Sequence, residues 1–349
     1  MSEPLVAIDA DVLGRRRTGD ETYVRGLLGG LAGTRDLRFA AVTRRPEVVP
    51  EGIEPVELPA HSQVVRMAVH MPRLLRRLRP ALAHFQHSLP LACPCPAVVT
   101  VHDLSFERDS SMMGLRDRLI FKTVVPRSAR RAARVLAVSE LTKRDLIELY
   151  DIPAEKIVVT PNGVDPAFTP EGSSPNGEPY ALFVGALQPR KDARAAIEAL
   201  ALLGDGAPRL VVVGKDHGGR IDAERAVEQN GLADRVEFRD HVPQEELASL
   251  YRGAACLVFP SRYEGFGLPV VEAMASGTPV VATTAGALPE VAGGAAILVE
   301  ERNPVALAGG IERAIADRER LVAAGLERAR QFTWAETARR TLEVYRSLL

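Results

Sequence analysis

The sequence is poor in cysteine, in aromatic residues and in long apolar runs, and its net charge is only −1. Three cysteines, Cys93, Cys95 and Cys256, are too few and too odd for a disulfide framework and argue for a reducing compartment. Cys93-Pro94-Cys95-Pro96 invites a metal or redox reading, but no second Cys/His pair follows at zinc spacing, so an ordinary structural role is expected. No stretch approaches ~18 uncharged apolar residues, so no membrane span is expected. Met-Ser-Glu-Pro at the start has no basic segment leading into an apolar one, so no signal peptide is expected. No Gly-x-Gly-x-x-Gly follows the first apolar run, which weighs against a nicotinamide enzyme. Gly214-Lys215-Asp216 lacks both the spacing and the Ser/Thr of a phosphate loop.

What is present is an ordinary globular composition, 46% hydrophobic and 26% charged, in a chain of 349 residues. That length suggests two domains. The small net charge hides an asymmetry. Residues 1–168 carry 24 Lys/Arg against 20 Asp/Glu, and residues 169–349 carry 20 against 25. Residues 61–144 alone hold 15 basic and 5 acidic residues, an excess that implies an anionic partner. Within it, Arg66 to Arg79 mixes cations with apolar residues, and Arg127, Arg130, Arg131 and Arg134 extend the patch. Docking on an anionic membrane surface and a plain solvated face both fit this pattern. Nucleic acid does not, because aromatic residues are not interleaved.

Short continuous apolar runs alternate with helical patterns. The strand candidates are Leu5–Ile8, Leu37–Val42, Ala97–Val101, Arg134–Val138 and Ile157–Val159, then Tyr180–Val184, Arg209–Val213, Val236–Phe238, Cys256–Phe259, Pro279–Ala282 and Ala296–Leu298. Continuous runs mark strands buried on both faces, as in parallel sheets covered by helices. Ala167–Pro179 is rich in Pro, Gly and Ser and reads as a linker. Two doubly wound α/β domains joined near residue 170 follow, with ligand sites at the carboxyl ends of their strands and a cleft between them.

The richest segment follows the strand Cys256–Phe259. Pro260–Tyr263 is a loop, Glu264-Gly265-Phe266-Gly267 a flexible turn, and Leu268-Pro269 opens a helix through Ala275, with Pro in its first turn. A helix N-terminus with free N–H groups attracts anions. Glu264 lies before that helix and Glu272 about one turn inside it, so both can face one ligand. Carboxylates accept the paired hydroxyls of sugars. Sugar at one acid, ribose at the other and phosphates between them would match a nucleoside diphosphate sugar. Arg190 and Lys191 follow the strand Tyr180–Val184, where cations can neutralise a leaving diphosphate. His102 follows the strand Ala97–Val101 and so faces the expected cleft. His61, His70, His84, His87, His217 and His241 are read as ordinary histidines. Asp9-Ala10-Asp11 mimics a metal-binding Asp-x-Asp but sits too early, at the end of the first strand, and no metal site is expected.

Glu264-Gly-Phe-Gly-Leu-Pro-Val-Val-Glu272-Ala-Met-Ala-Ser-Gly277 closely resembles the signature of the retaining glycosyltransferases of family 4, which have the GT-B fold. Phe183–Asp192, Val138–Leu146, Ile157–Asp165 and Leu288–Gly293 resemble further segments of the family, so the resemblance spans most of the chain. It implies two Rossmann-like domains facing a deep cleft: an acceptor-side domain (1–168), a nucleotide-sugar domain (169–330) and a terminal helix (331–349) returning to the first. It implies transfer of a hexose, of mannose or glucose type, from a GDP- or UDP-linked donor to a hydroxyl of a glycan, a lipid-linked precursor or a natural product. Retention of anomeric configuration rests on the resemblance alone. No cofactor is expected, since cations and amides replace a metal. The setting expected is cytoplasmic, with peripheral contact at the inner face of the membrane.

The resemblance gives Arg190 and Lys191 to the donor phosphates, His102 and Glu264 to the transferred sugar and Glu272 to the ribose. Gly19, Val242, Gly265, Phe266, Gly267 and Leu268 complete the donor contacts, Val242 standing in the loop where base recognition by backbone groups is expected. Gly14–Tyr23 resembles the family's N-terminal glycine loop, but Asp20-Glu21 replace a small residue and a second glycine. Two acids would repel a phosphate, so they are expected to point away or to meet the acceptor. A nucleotide-sugar epimerase or hydrolase and a non-catalytic nucleotide-sugar sensor are the alternatives. Free sugar, an isomerised donor or tight binding without turnover would distinguish them.

Overall fold

A computed structural model of the chain describes residues 3–15, 18–58, 62–108, 114–175 and 177–349. The readings given to His61 and to Arg16 and Arg17 of the first loop lie outside the described residues. The chain divides into two compact units, residues 1–163 with 333–349, and residues 164–332. The compositional break at 168/169 lies a few residues past this division. The Pro- and Gly-rich segment packs with the second unit. Phe168 stands edge-on to Tyr251 with ring centroids 5.7 Å apart, and Arg252 donates to the carbonyls of Ser173 and Thr169.

The first unit holds a seven-stranded sheet: β1 (Leu5–Asp9), β2 (Arg38–Thr43), β3 (Glu54–Glu57), β4 (Leu82–Gln86), β5 (Ala97–Val101), β6 (Arg134–Ala137) and β7 (Ile157–Val159). Their spatial order is β3-β2-β1-β4-β5-β6-β7, and every neighbouring pair is parallel. The second unit holds six strands: β8 (Tyr180–Val184), β9 (Arg209–Val213), β10 (Val236–Arg239), β11 (Ala254–Phe259), β12 (Val280–Thr283) and β13 (Ile297–Val299). Their order is β10-β9-β8-β11-β12-β13, again all parallel. Helices connect the strands in both. β5, β8 and β11 are buried along their whole length, as continuous apolar runs require.

Each sheet winds outward in both directions from its centre. The strand order reverses between β1 and β4 in the first unit and between β8 and β11 in the second. In doubly wound sheets such switch points open crevices at the carboxyl ends of the strands. Of the candidate residues below, His87, Lys191 and Glu264 follow strands at these points, whereas His102 and Val242 follow β5 and β10.

β3 and β4 were not expected. β3 is a short strand at the sheet edge carrying Pro55, and only Val56 is buried. β4 contains His84 and Gln86, polar residues that break an apolar run. The fully buried His84 is satisfied by partners distant in sequence: one ring nitrogen lies 2.6 Å from the Tyr345 hydroxyl and the other 2.7 Å from the Thr100 hydroxyl. It is a core histidine, as read.

The terminal helix Trp334–Arg346 belongs to the first unit and packs on the helix Thr18–Leu31. Glycine makes this approach close. A Cβ on Gly26 would meet the Trp334 ring at 2.1 Å, and one on Gly30 would meet the Ala338 Cβ at 2.7 Å. Protein interiors have no slack to absorb such overlaps.

The basic segment, for which membrane docking and a plain solvated face were both open, is exposed only in part. Leu74 and Leu75 are in the core, while Arg73, Arg76, Arg77 and Arg79 are exposed. Arg66 is 1% exposed and grips Asp9 through both terminal nitrogens, at 3.0 and 2.5 Å. Arg130 and Arg131 donate to the carbonyls of Tyr150, Pro90 and Leu91. No helix among the described residues is long and apolar enough to cross a membrane.

Candidate donor and acceptor sites

In the second unit the chain leaves β8 through Gly185 and forms a short 3-10 turn, Pro189–Lys191. Asp192 ends the turn in the left-handed region, φ 54°, and begins the helix Ala193–Leu202. This turn drives Lys191 inward. Only 9% exposed, it places its ammonium 2.5 Å from Glu264 Oε1 and 5.1 Å from the centre of the Phe259 ring. Arg190 donates to the Tyr263 carbonyl at 3.2 Å and lies 3.6 Å from Glu264 Oε2. Arg262 ties the two loops together: its amide donates to the Arg190 carbonyl at 2.8 Å and its Nε to Asp192 at 2.8 Å.

Lys191 and Glu264 therefore stand at the ends of β8 and β11, the two strands that flank the switch point. Burial pushes the Glu264 carboxyl up, but Lys191 and Arg190 outweigh it and hold it below its ordinary value. The carboxylate stays charged. Two cations face one carboxylate beside the start of the helix Leu268–Ala275, whose positive dipole end adds to them.

Gly267 caps that helix at φ 96°, where L side chains are strained, and a Cβ there would meet Leu288 at 2.7 Å. Gly286 backs Glu264: at φ 63°, its Cβ would meet the Glu264 amide nitrogen at 2.6 Å and its carbonyl oxygen at 2.4 Å. Gly265 is buried and Leu268 half-buried. Phe266 turns into the core, edge-on to Phe332 with centroids 5.4 Å apart, so any ligand contact there falls to its backbone. Val242 lies in the loop after β10 and is half-buried. Glu272 is 9% exposed and accepts a hydrogen bond from the Tyr251 hydroxyl at 3.0 Å. Burial raises its pKa to about 7; the Tyr251 bond opposes this rise and the charge of Asp165 adds to it.

In the first unit His102 follows β5. Its Nε2 lies 2.9 Å from Gln86 Oε1, so it donates there and leaves Nδ1 as an acceptor. Its ring stands edge-on to Tyr23, centroids 4.7 Å apart, and 5.0 Å from the ring of His87. Burial is the largest influence on its pKa, which falls to about 4 despite the nearby Asp20 carboxylate, so the ring is neutral at physiological pH. His87 follows β4 in a left-handed conformation, φ 55°, and its buried Nδ1 has no hydrogen-bond partner among the described residues. Asp20, His87 and His102 each offer a ligand-type atom, and these atoms lie within 4.8 Å of one another. Sequence alone assigns His87 only the role of an ordinary histidine. With β4 unrecognised, nothing marked it as the end of a strand at the switch point.

Gly19 is exposed in the first turn of the helix Thr18–Leu31, and among the described residues no atom crowds the position of its missing Cβ. Its two acidic neighbours part company. Glu21 accepts the Gly14 amide at 2.9 Å and the Arg25 guanidinium at 3.0 Å, while Asp20 faces the histidines. Asp9 and Asp11 are held by Arg66 and by Arg44 and Arg15. They form an arginine-paired cluster.

Comparison with known proteins identifies the family and the fold. Residues 165–331 match the family model "Glycosyl transferases group 1", and residues 18–168 match "Glycosyltransferase Family 4". The chain is 31% identical to O-antigen chain mannosyltransferase B of Escherichia coli, over 72% of this chain and 70% of that one. It is 34% identical to D-inositol 3-phosphate glycosyltransferase of Nocardia farcinica, over 62% of this chain and 53% of that one. Among solved structures, sucrose-phosphate synthase from Thermosynechococcus elongatus superposes with a TM-score of 0.82 at 22% identity, covering 99% of both chains. Anabaena HepE in complex with UDP and glucose superposes with a TM-score of 0.75 at 20% identity, covering 99% of this chain and 100% of that one. The chain belongs to glycosyltransferase family 4, enzymes of the GT-B fold.

Proposed function

We propose that this glycosyltransferase moves a hexose of mannose or glucose type from a GDP- or UDP-linked donor to an acceptor hydroxyl, with retention and without a metal. The observation that carries the reading is the buried Lys191–Glu264 pair with Arg190 beside it, on the loops of β8 and β11. Mannosyl transfer by one relative and the UDP and glucose bound by Anabaena HepE support the choice of sugar and nucleotide.

Arg190, Lys191 and the Gly265–Leu268 amides stabilise the negative charge that develops on the departing diphosphate. Preorganised cations stabilise that charge most where water is excluded, and Lys191 is largely buried. Glu264 orients the sugar hydroxyls, Glu272 accepts the ribose hydroxyls, and Val242 flanks the base. The bond between the anomeric carbon and the phosphate oxygen breaks. The acceptor oxygen bonds to that carbon on the same face, and its proton passes to the leaving phosphate. Neutral His102 accepts a sugar hydroxyl at Nδ1, and Gly19 lets the diphosphate approach its helix. Asp20 meets the acceptor. The exposed arginines of Arg73–Arg79 would attract an acceptor carried at an anionic cytoplasmic membrane surface, by charge alone.

Thermal-shift titration against UDP, GDP, ADP and TDP tests the donor half, because a ligand stabilises the folded chain in proportion to its binding. The cognate nucleotide should give the largest rise, and no rise from any of the four would reject the assignment. Product analysis showing an inverted anomer would reject retention.

A further inference from the structure

We infer that Cys93 and Cys95 form a redox-active dithiol that closes to a disulfide by exchange with a low-molecular-weight disulfide. The sulfurs of Cys93 and Cys95 lie 3.8 Å apart in the loop between β4 and β5, close enough for one to hydrogen-bond the other. A bend at Pro94 and Cys95 brings them together. Both residues are half-buried, but Leu91, Ala92, Pro94 and Pro96 around them are exposed, so a small disulfide can reach them.

The two thiols are unequal. The hydrogen bond from Cys95 is the largest influence on Cys93; with help from the Arg131 charge it brings the thiol down to about 7, although burial opposes it. Arg131 is fixed against this loop by its bonds to the Pro90 and Leu91 carbonyls. The Cys95 thiol is pushed up, so it keeps its proton and acts second. A thiolate with a pKa near ambient pH attacks disulfides fastest.

In the first step the Cys93 thiolate attacks the disulfide, forming a mixed disulfide and releasing one small thiolate. Cys95 then loses its proton and attacks the Cys93 sulfur, expelling the second. Two protein thiols are oxidised and one small disulfide is reduced to two thiols. A small ring of this kind is readily reopened by a reducing pool, which suits a transient modification in a reducing compartment.

The test treats the reduced full-length chain with glutathione disulfide, followed by thiol titration and peptide mass mapping. Two of the three thiols should disappear, Cys256 remaining because it is buried. The peptide holding Cys93 and Cys95 should lose two hydrogens and carry no adduct. C95S should trap a stable glutathione adduct on Cys93, and C93S should react far more slowly. A persistent adduct in the wild-type chain, equal rates for C93S and wild type, or no loss of thiols would each overturn the proposal.

Discussion

The proposed contact of Glu272 with the donor ribose would make nucleotide-sugar binding depend on pH in a direction that can be worked out. Its ordinary carboxyl value near 4.5 is raised to about 7, first by burial. A carboxyl with that value is about one-tenth ionised at pH 6 and about nine-tenths at pH 8. If the ionised form accepts the ribose hydroxyls, affinity should weaken about tenfold, or ~1.4 kcal/mol, as pH falls from 8 to 6. The linked effect on folding has the opposite sign. A raised carboxyl stabilises the fold fully below its unfolded value and loses that contribution as pH rises through about 7. Stability and donor affinity should therefore move against each other across this window. The assay is isothermal titration with the intact nucleotide sugar, whose diphosphate diester does not titrate there. His102 is already neutral throughout, its pKa lying near 4. Glu272→Gln should flatten the profile. A flat wild-type profile, or a tenfold slope that survives in Glu272→Gln, would refute the reasoning.

Lys191→Ala should lower kcat by ~10²–10³-fold, the loss typical of a group that stabilises transition-state charge. It also takes the nearer of two cations from the buried Glu264 carboxylate; because Arg190 remains 3.6 Å away, the stability loss should stay below the ~3–5 kcal/mol of a fully unpaired buried charge. The pair Lys191→Met with Glu264→Gln should recover the melting temperature in calorimetry without recovering turnover. Gly267→Ala should lower the melting temperature by several degrees, since it combines φ 96° with a 2.7 Å approach to Leu288. Chelator should leave turnover unchanged; if activity falls and returns with added divalent ion, the metal belongs at Asp20, His87 and His102. Asp20→Asn should raise the acceptor KM while leaving donor affinity as it was.

Much of the fold can be read from the continuous apolar strands, because a parallel sheet covered on both faces leaves no other pattern. β11 and the helix that begins at Leu268 are of this kind. β4 could not be read, because His84 is paid for by Thr100 and Tyr345, partners 16 and 261 residues away. That omission carried a second one, since His87 gains meaning only as the end of β4. Gly286 was missed for a related reason: its constraint is the backbone of Glu264, which no local spacing reveals. Arg66 misled in the other direction. Its amphipathic setting suggested a surface, while its buried partner Asp9 lies 57 residues away. The acids of the first loop were legible as a departure from the family pattern, but not the division of labour between Asp20 and Glu21.

The most direct measurement is transfer itself. The purified chain is incubated with GDP-mannose or UDP-glucose and a panel of hydroxyl acceptors, and released nucleoside diphosphate and acceptor-bound hexose are quantified together. One donor should yield both in equal amounts, in an acceptor-dependent way, with the product anomer matching the donor and with Lys191→Ala nearly silent. Nucleotide release without acceptor-bound sugar, or turnover that ignores Lys191→Ala, would contradict transfer at the Lys191–Glu264 site.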